Sequence, residues 1–426
     1  MPHHYQRPIS NQEIKWYKDP PPEFGHPMLR FFEFDPEYVN LNHGSFGALP
    51  RPVQAAYDAL STQIEQNPDY FFRIVYHPLL NDLRARLAKI VNIETDECVM
   101  IPNVAHGINT ILRNFDWHTD DILVSMNTAY DSIQHAVSYL AKLSVHPTHS
   151  QVILTFPASH SAILRQFRSH LEDLSSTRTG SSRIVVVLDS IASQPGVYMP
   201  WREMIKICNT VGAYSIVDAA HSIGQETDID LKAADPDFWV SNCNKWLYSK
   251  RGSAMLYVPF RNQHMIKDTV VPALVYPVPG LTVTPFVARF YWNGSADAAL
   301  ALSVDAALDF RKYLGGETRI NEYCRALALE GGRRLAEILG TQVMDSPEIP
   351  GELTLNMVNV ELPVNSKSSG SIYFLLQDEL LVRSKVYATI FSHNGRWWAR
   401  CSTQIYNEMS DFERLGEVLK GACAQL

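Results

Sequence analysis

A chain of 426 residues, 46% hydrophobic and 19% charged, is long enough for two packed domains and too apolar for extended disorder. Its net charge of −8, with Lys and Arg scattered along the chain, argues against a charge-driven grip on nucleic acid or an anionic membrane and favours a small-molecule partner. The six cysteines (Cys98, Cys208, Cys243, Cys324, Cys401 and Cys423) stand far apart, with no CxxC pair and no His/Cys spacing suited to zinc. They read as reduced thiols, and no metal site is expected. The polar start MPHHYQRPIS lacks the apolar centre of a secretory signal, and no apolar run is long enough to cross a bilayer, so a cytoplasmic protein is expected.

In chain order, residues 1–39 are rich in proline and aromatics and are expected to form an arm packed over the body. Residues 79–91 carry a helical pattern, Cys98–Ile101 reads as a buried strand, and Val104, Ile108, Ile111, Leu112 and Phe115 recur at helical spacing. Strands follow at 122–125, 184–188 and 214–217, with a helix over Trp201–Val211 between the last two. Apolar strands separated by a helix imply a parallel sheet covered on both faces, whose ligands sit at the carboxyl ends of the strands. Asp189 and Asp218, which close two of these runs, therefore point toward the site. A further strand is expected at 253–258, and the prolines and glycine of 271–285 predict an irregular connection. A helix over 296–313 leads into a smaller α+β part with a helix at 319–339, strands at 353–362 and 396–403, and a closing helix at 411–424. The expected division is an arm (1–39), a large domain (40–295), and a linking helix with a small C-terminal domain (296–426).

The chemistry is most legible in Val217-Asp218-Ala219-Ala220-His221, followed by Asn244-Lys245-Trp246-Leu247 and Lys250-Arg251-Gly252. A buried carboxylate at a strand end can hold a ring nitrogen protonated, and a desolvated lysine can serve as a displaceable amine and proton carrier. In this order and spacing the set resembles the class V aminotransferase family of pyridoxal 5′-phosphate (PLP) enzymes, over about 40–411. That resemblance implies an α/β fold of PLP type I, with a mostly parallel sheet in the large domain and a smaller α+β C-terminal domain. It implies PLP held as a Schiff base on Lys245, with Asp218 at the pyridine nitrogen. Lys250 is the alternative anchor, although its place before Gly252 suits a turn.

The resemblance assigns further residues. Ala105 and His106, in Asn103-Val104-Ala105-His106-Gly107, match the family's phosphate loop at a helix start, although Ala105 stands where a hydroxyl residue is common. Asn242 and Asn244 stand where relatives often carry Ser and His, and their amides can still donate to phosphate. Tyr130 matches an aromatic that stacks on the cofactor ring and can protonate a leaving group. Ser193 and His221 match positions near the ring's phenolic oxygen. Arg400 matches the arginine that grips the substrate's carboxylate with a two-pronged fork, and Asn42, His43, Gly44 and Ser45 match a substrate-facing loop. Arg73 is a further candidate for that pocket, with a structural role equally open. Gly294-Ser295 matches a segment that reaches the partner subunit's phosphate, which implies a homodimer with shared sites.

Within the family, Asn42-His43-Gly44-Ser45-Phe46-Gly47, Arg261-Asn262-Gln263-His264, Gly315-Gly316-Glu317 and Met409-Ser410-Asp411-Phe412 are similar to a fungal branch related to isopenicillin-N epimerase. The leading expectation is a lyase that removes the Cα proton of an amino acid and eliminates a sulfur or similar group. A carbon–carbon bond-forming cyclase, an epimerase, an aminotransferase and an inactive PLP-binding relative are the alternatives.

Overall fold

The structure, a computed structural model, describes residues 15–178, 180, 182–269, 282–292, 294–364 and 369–426. The first ten residues and positions 271–281 of the proline-rich connection, both read above, lie outside the described residues. Among the described residues, twelve strands form three sheets: β1 (Val39–Asn40), β2 (Cys98–Ile101), β3 (Ile122–Met126), β4 (Thr148–Val152), β5 (Ile184–Asp189), β6 (Tyr214–Asp218), β7 (Phe238–Asn242), β8 (Ala254–Tyr257), β9 (Met357–Glu361), β10 (Val386–Tyr387), β11 (Thr389–His393) and β12 (Arg396–Ser402).

The large sheet runs in the order β2-β8-β7-β6-β5-β3-β4, with β4, β3, β5, β6 and β7 mutually parallel and β8 antiparallel to both neighbours. Every residue of β5 is buried although successive side chains point to opposite faces, so both faces of the sheet are covered. The run Ile184-Val185-Val186-Val187-Leu188 suits that setting because branched side chains fill a pleated surface, each worth about 1.5–3 kcal/mol when fully buried. Between β5 and β6 the helix Trp201–Val211 appears as expected and ends on Gly212, left-handed at φ 65.

From β3 the chain steps outward to β4 and then returns to the other side of β3 as β5. The strand order therefore reverses between β3 and β5, and such switch points open a crevice at the carboxyl ends of the strands. The turns after β3, β5, β6 and β7 all empty into it.

The second sheet, β11-β12-β9, is antiparallel and packs on the long helix Gly316–Leu339 and the closing helix Met409–Cys423. The expected strand at 353–362 is shorter in the structure, limited to Met357–Glu361, because 353–356 forms a turn. The two-residue strand β1 pairs in parallel with β10, so the start of the globular body is stitched to the C-terminal part. No helix among the described residues is long and apolar enough to cross a membrane, and no group of three or more His, Cys, Asp or Glu there could hold a metal.

Candidate active site

The crevice widens into a cavity of about 1530 Å³ whose wall includes Lys245, Asp218, Asp189, His221, Arg400, Tyr130 and Ala105. The large sheet supplies most of these through its strand ends. β6 finishes in Asp218 and turns to His221, the turn after β7 carries Lys245, and the turn after β3 carries Thr128 and Tyr130. Arg400 and Thr389 arrive from the small sheet, and Asn42 and Ser45 from the chain just after β1.

Lys245 Nζ lies 3.2 Å from His221 Nε2, and the Trp246 indole N–H donates to His221 Nδ1 at 3.2 Å. An indole nitrogen can only donate, so Nδ1 accepts and the ring proton of neutral His221 sits on Nε2, facing the amine. Burial holds His221 well below the usual histidine range, helped by the charges of Lys245 and Arg400. Burial also brings the Lys245 amine down to about 8, with Arg400 pushing the same way and Asp218 opposing. The result is an amine that releases its proton readily.

Asp218, only 5% exposed, accepts the backbone N–H of Ala220 at 3.0 Å. Its cross-strand neighbour in register is Asp189, which accepts the Thr128 hydroxyl at 3.0 Å. Burial raises both carboxyl groups, and for Asp189 the neighbouring Asp218 adds repulsion that lifts it to about 8. At neutral pH Asp189 is therefore the member that holds a proton.

Arg400 is 1% exposed, and burial lowers its guanidinium to about 10, so it stays a cation at neutral pH. Its described partners are all neutral. Nη1 donates to the Ser193 carbonyl (2.7 Å) and hydroxyl (3.2 Å), while Nη2 donates to Asn42 Oδ1 (3.0 Å), Ser45 Oγ (2.8 Å) and Thr389 Oγ1 (3.3 Å). A buried cation on a cavity wall with only hydroxyls and carbonyls around it is suited to an anionic ligand.

Comparison with known proteins places this arrangement. The aminotransferase class-V family model matches residues 49–415. The chain belongs to that family. It is 32% identical to the L-cysteine desulfhydrase-like protein lolT1 of Epichloe uncinata, over 95% of this chain and 96% of the relative. It is 26% identical to the hercynylcysteine sulfoxide lyase of Schizosaccharomyces pombe, over 94% of this chain and 98% of the relative. Among solved structures, the cystine C-S lyase C-DES in complex with cysteine persulfide superposes with a TM-score of 0.72 at 16% identity, covering 93% of this chain and 99% of that one, which shows a shared fold.

PLP is the cofactor of this class V chain, and the donor set fits it. Lys245 would supply an amine for the aldehyde, and Asp218 a carboxylate for the ring nitrogen. The helix Val104–Asn114 presents its N-terminus to the cavity, with Ala105 in the wall, where it would meet the phosphate. Asn103 caps that helix by accepting His106 N–H at 2.8 Å, and Asn242 Oδ1 accepts Val104 N–H at 3.2 Å, which turns the amide of Asn242 toward the same helix start.

Several residues expected at the site lie elsewhere. His43 is fully buried, takes or gives a hydrogen bond with the Tyr406 hydroxyl at 2.9 Å, packs on Trp246, and is lowered by burial to about 3. It is therefore a core residue and does not meet substrate. Gly44 serves close packing instead of ligand approach: a Cβ there would come within 3.0 Å of Met357 Sδ and Ser402 Oγ. Arg73 stands 72% exposed in an ion pair with Asp69 at 3.1 Å, outside the cavity wall. The His106 side chain is half-buried behind the helix start and also does not line the cavity, because the helix turns it away. Asn244 lines the cavity but donates to the Phe46 carbonyl at 3.2 Å, so it ties the 42–47 loop to the lysine loop. Ser295 is exposed and does not line this chain's cavity. Ser193 meets Arg400, as given above.

Three contributors were not anticipated. Thr128 and Thr389 each hold a site residue, but isolated threonines carry no sequence signal. Arg311, fully buried, donates to the Trp246 carbonyl (2.7 Å) and the Gly224 carbonyl (2.9 Å) and pairs with Glu317, which fixes the lysine loop. An arginine on the apolar side of an Ala/Leu-rich helix was the available clue.

Proposed function

We propose that the protein is a PLP-dependent lyase that removes the Cα proton of an amino acid and eliminates a sulfur-containing or similar group. The observation that carries this reading over sulfur transfer to the protein is the placement of the thiols. All six cysteines are buried, burial raises their thiols, and none lines the cavity. Without an acceptor thiol, the expelled sulfur leaves as a small molecule. The activities named for the desulfhydrase-like and sulfoxide-lyase relatives accord with this.

When bound, PLP stabilises the electron pair left at Cα. The chain's own residues do the rest. Arg400 takes the substrate carboxylate in place of the Ser193 and Ser45 hydroxyls that now occupy its fork. Lys245, a low-pKa amine beside His221, takes the proton from Cα. Asp218 holds the ring nitrogen protonated. Tyr130, in the wall and 58% exposed at the cavity mouth, offers its phenol to the departing atom, which takes the electron pair of the broken bond. In the same reading the enzyme acts as a cytoplasmic homodimer, with Ser295 contributed toward the partner's phosphate site.

The test is mass analysis after incubating the enzyme with a panel of S-conjugated, sulfoxide and O-activated amino acids. A sulfur fragment with a keto acid and ammonia is expected. A joined product would make it a cyclase, Cα exchange alone an epimerase, and cofactor binding without turnover an inactive relative.

A further inference from the structure

Arg400 belongs to the small sheet and Asp218 to the large one, so something must hold the two sheets in register for a substrate to be gripped at both ends. The turn Ser193-Gln194-Pro195-Gly196, which follows β5 in the large domain, lies between them. Arg400 reaches one end of it through the Ser193 carbonyl at 2.7 Å. The other end is held by Asn359. In the β12–β9 pairing Arg400 and Asn359 are direct cross-strand partners, so their side chains leave the sheet on one face. Asn359 Oδ1 accepts Gly196 N–H at 2.9 Å, and Asn359 Nδ2 donates to the Gly196 carbonyl at 3.0 Å. Both bonds are buried, and no other side chain of that size supplies one donor and one acceptor in this way.

Gly196 is also the surface on which the arginine lies. A Cβ added there would stand 2.6 Å from Arg400 Cδ and 2.9 Å from Arg400 Cγ, so the aliphatic stem rests directly on the glycine. Where Asn359 seats the turn therefore decides where the guanidinium points.

We propose that Asn359 is a positioning residue for carboxylate recognition: by seating the 193–196 turn beneath Arg400, it aims the guanidinium at the substrate's carboxylate. This rests on the reading of Arg400 as the carboxylate site. Asp in place of Asn359 keeps the acceptor for Gly196 N–H but sets a carboxylate oxygen against the Gly196 carbonyl, and Leu removes both bonds. Gly196→Ala displaces the arginine by an independent route.

The test uses the holoenzyme and compares L-alanine with ethylamine, which lacks the carboxylate, each titrated by the change in cofactor absorption. Asn359→Asp, Asn359→Leu and Gly196→Ala should each weaken L-alanine by about tenfold or more, the scale of a lost buried hydrogen bond, and leave ethylamine and the unliganded spectrum unchanged. Equal weakening of both ligands by the folded variants, or no weakening of L-alanine, would overturn the proposal. If Asn359→Asp and Asn359→Leu do not fold, Asn359→Ser, whose shorter hydroxyl cannot make both bonds to Gly196, takes their place under the same criteria, since Gly196→Ala tests only the seat of the arginine stem. Arg400→Lys serves as the separate control: if it leaves the preference for L-alanine over ethylamine intact, the carboxylate reading of Arg400 has failed, whatever Asn359 does.

Discussion

Lys245 Nζ and His221 Nε2 are 3.2 Å apart, and the Trp246 indole, by occupying Nδ1, commits the imidazole proton to the side that faces the amine. Burial, with the charge of Arg400 and against that of Asp218, brings Lys245 from 10.5 to about 8, and an N–H that points at the amine likewise suits its neutral form. The neutral amine is the form that reacts with an aldehyde. Uptake of PLP by the apo-protein should therefore quicken as pH rises to about 8 and level off above it, where an ordinary lysine would go on gaining until beyond 10. Stopped-flow absorbance across pH 6–10 reads this directly, and a profile still climbing at pH 10 would contradict it.

Borohydride reduction of the holoenzyme should fix the cofactor on the peptide that holds Lys245, and Lys245→Ala should fold but lose the covalent cofactor band. Lys250 is otherwise employed: its Nζ donates to Gln54 Oε1 at 2.9 Å and sits 4.3 Å from the centre of the Tyr57 ring. Recovery of the label at Lys250 would sink the assignment.

The two strand-end carboxyls should respond differently to amide replacement. Asp218→Asn removes the carboxylate proposed to keep the ring nitrogen protonated and should slow Cα proton removal by about a hundredfold or more, comparable to losing one preorganised electrostatic contact. Asp189→Asn replaces an acid that is already protonated at neutral pH and should cost far less.

Asp189 also predicts a pH signature in stability. Its folded-state pKa is raised from 3.8 to about 8, so the folded protein holds a proton that the unfolded chain has lost. Stability is thereby eroded as pH climbs from about 4 to about 8, and the full penalty stands above 8. The Asn variant has no such proton to lose. Thermal melts of the apo-proteins should show Asp189→Asn gaining on the parent across that window, and parallel melting curves would refute the assignment of the proton.

Arg400→Lys keeps a charge but loses the planar fork, so amino acids with a free carboxylate should bind more weakly, on the order of tenfold. Equal affinity would count against the role.

Tyr130→Phe should slow release of the sulfur fragment more than exchange of the Cα proton in deuterated water, because only the first step asks for the phenol's proton. If both slow together, the tyrosine serves to place the cofactor and the acid lies elsewhere.

By itself the sequence determined five of the seven strands of the large sheet, missing β4 and β7, and the candidacy of Asp218, Lys245 and Arg400. These signals are local: an apolar run that ends in a carboxylate, or a short motif around a lysine, stays recognisable before the chain is folded. Which way a side chain faces was decided only by tertiary structure. Asn42, His43, Gly44 and Ser45 are consecutive, yet one helical turn sends Asn42 and Ser45 to Arg400 and buries His43 against Tyr406 and Trp246. Asn359 and Gly196 are 163 positions apart and meet because β9 pairs with β12 over the turn that follows β5. Such partners leave no mark in either segment, since a backbone N–H and carbonyl accept any amide that the packing of two sheets brings within reach.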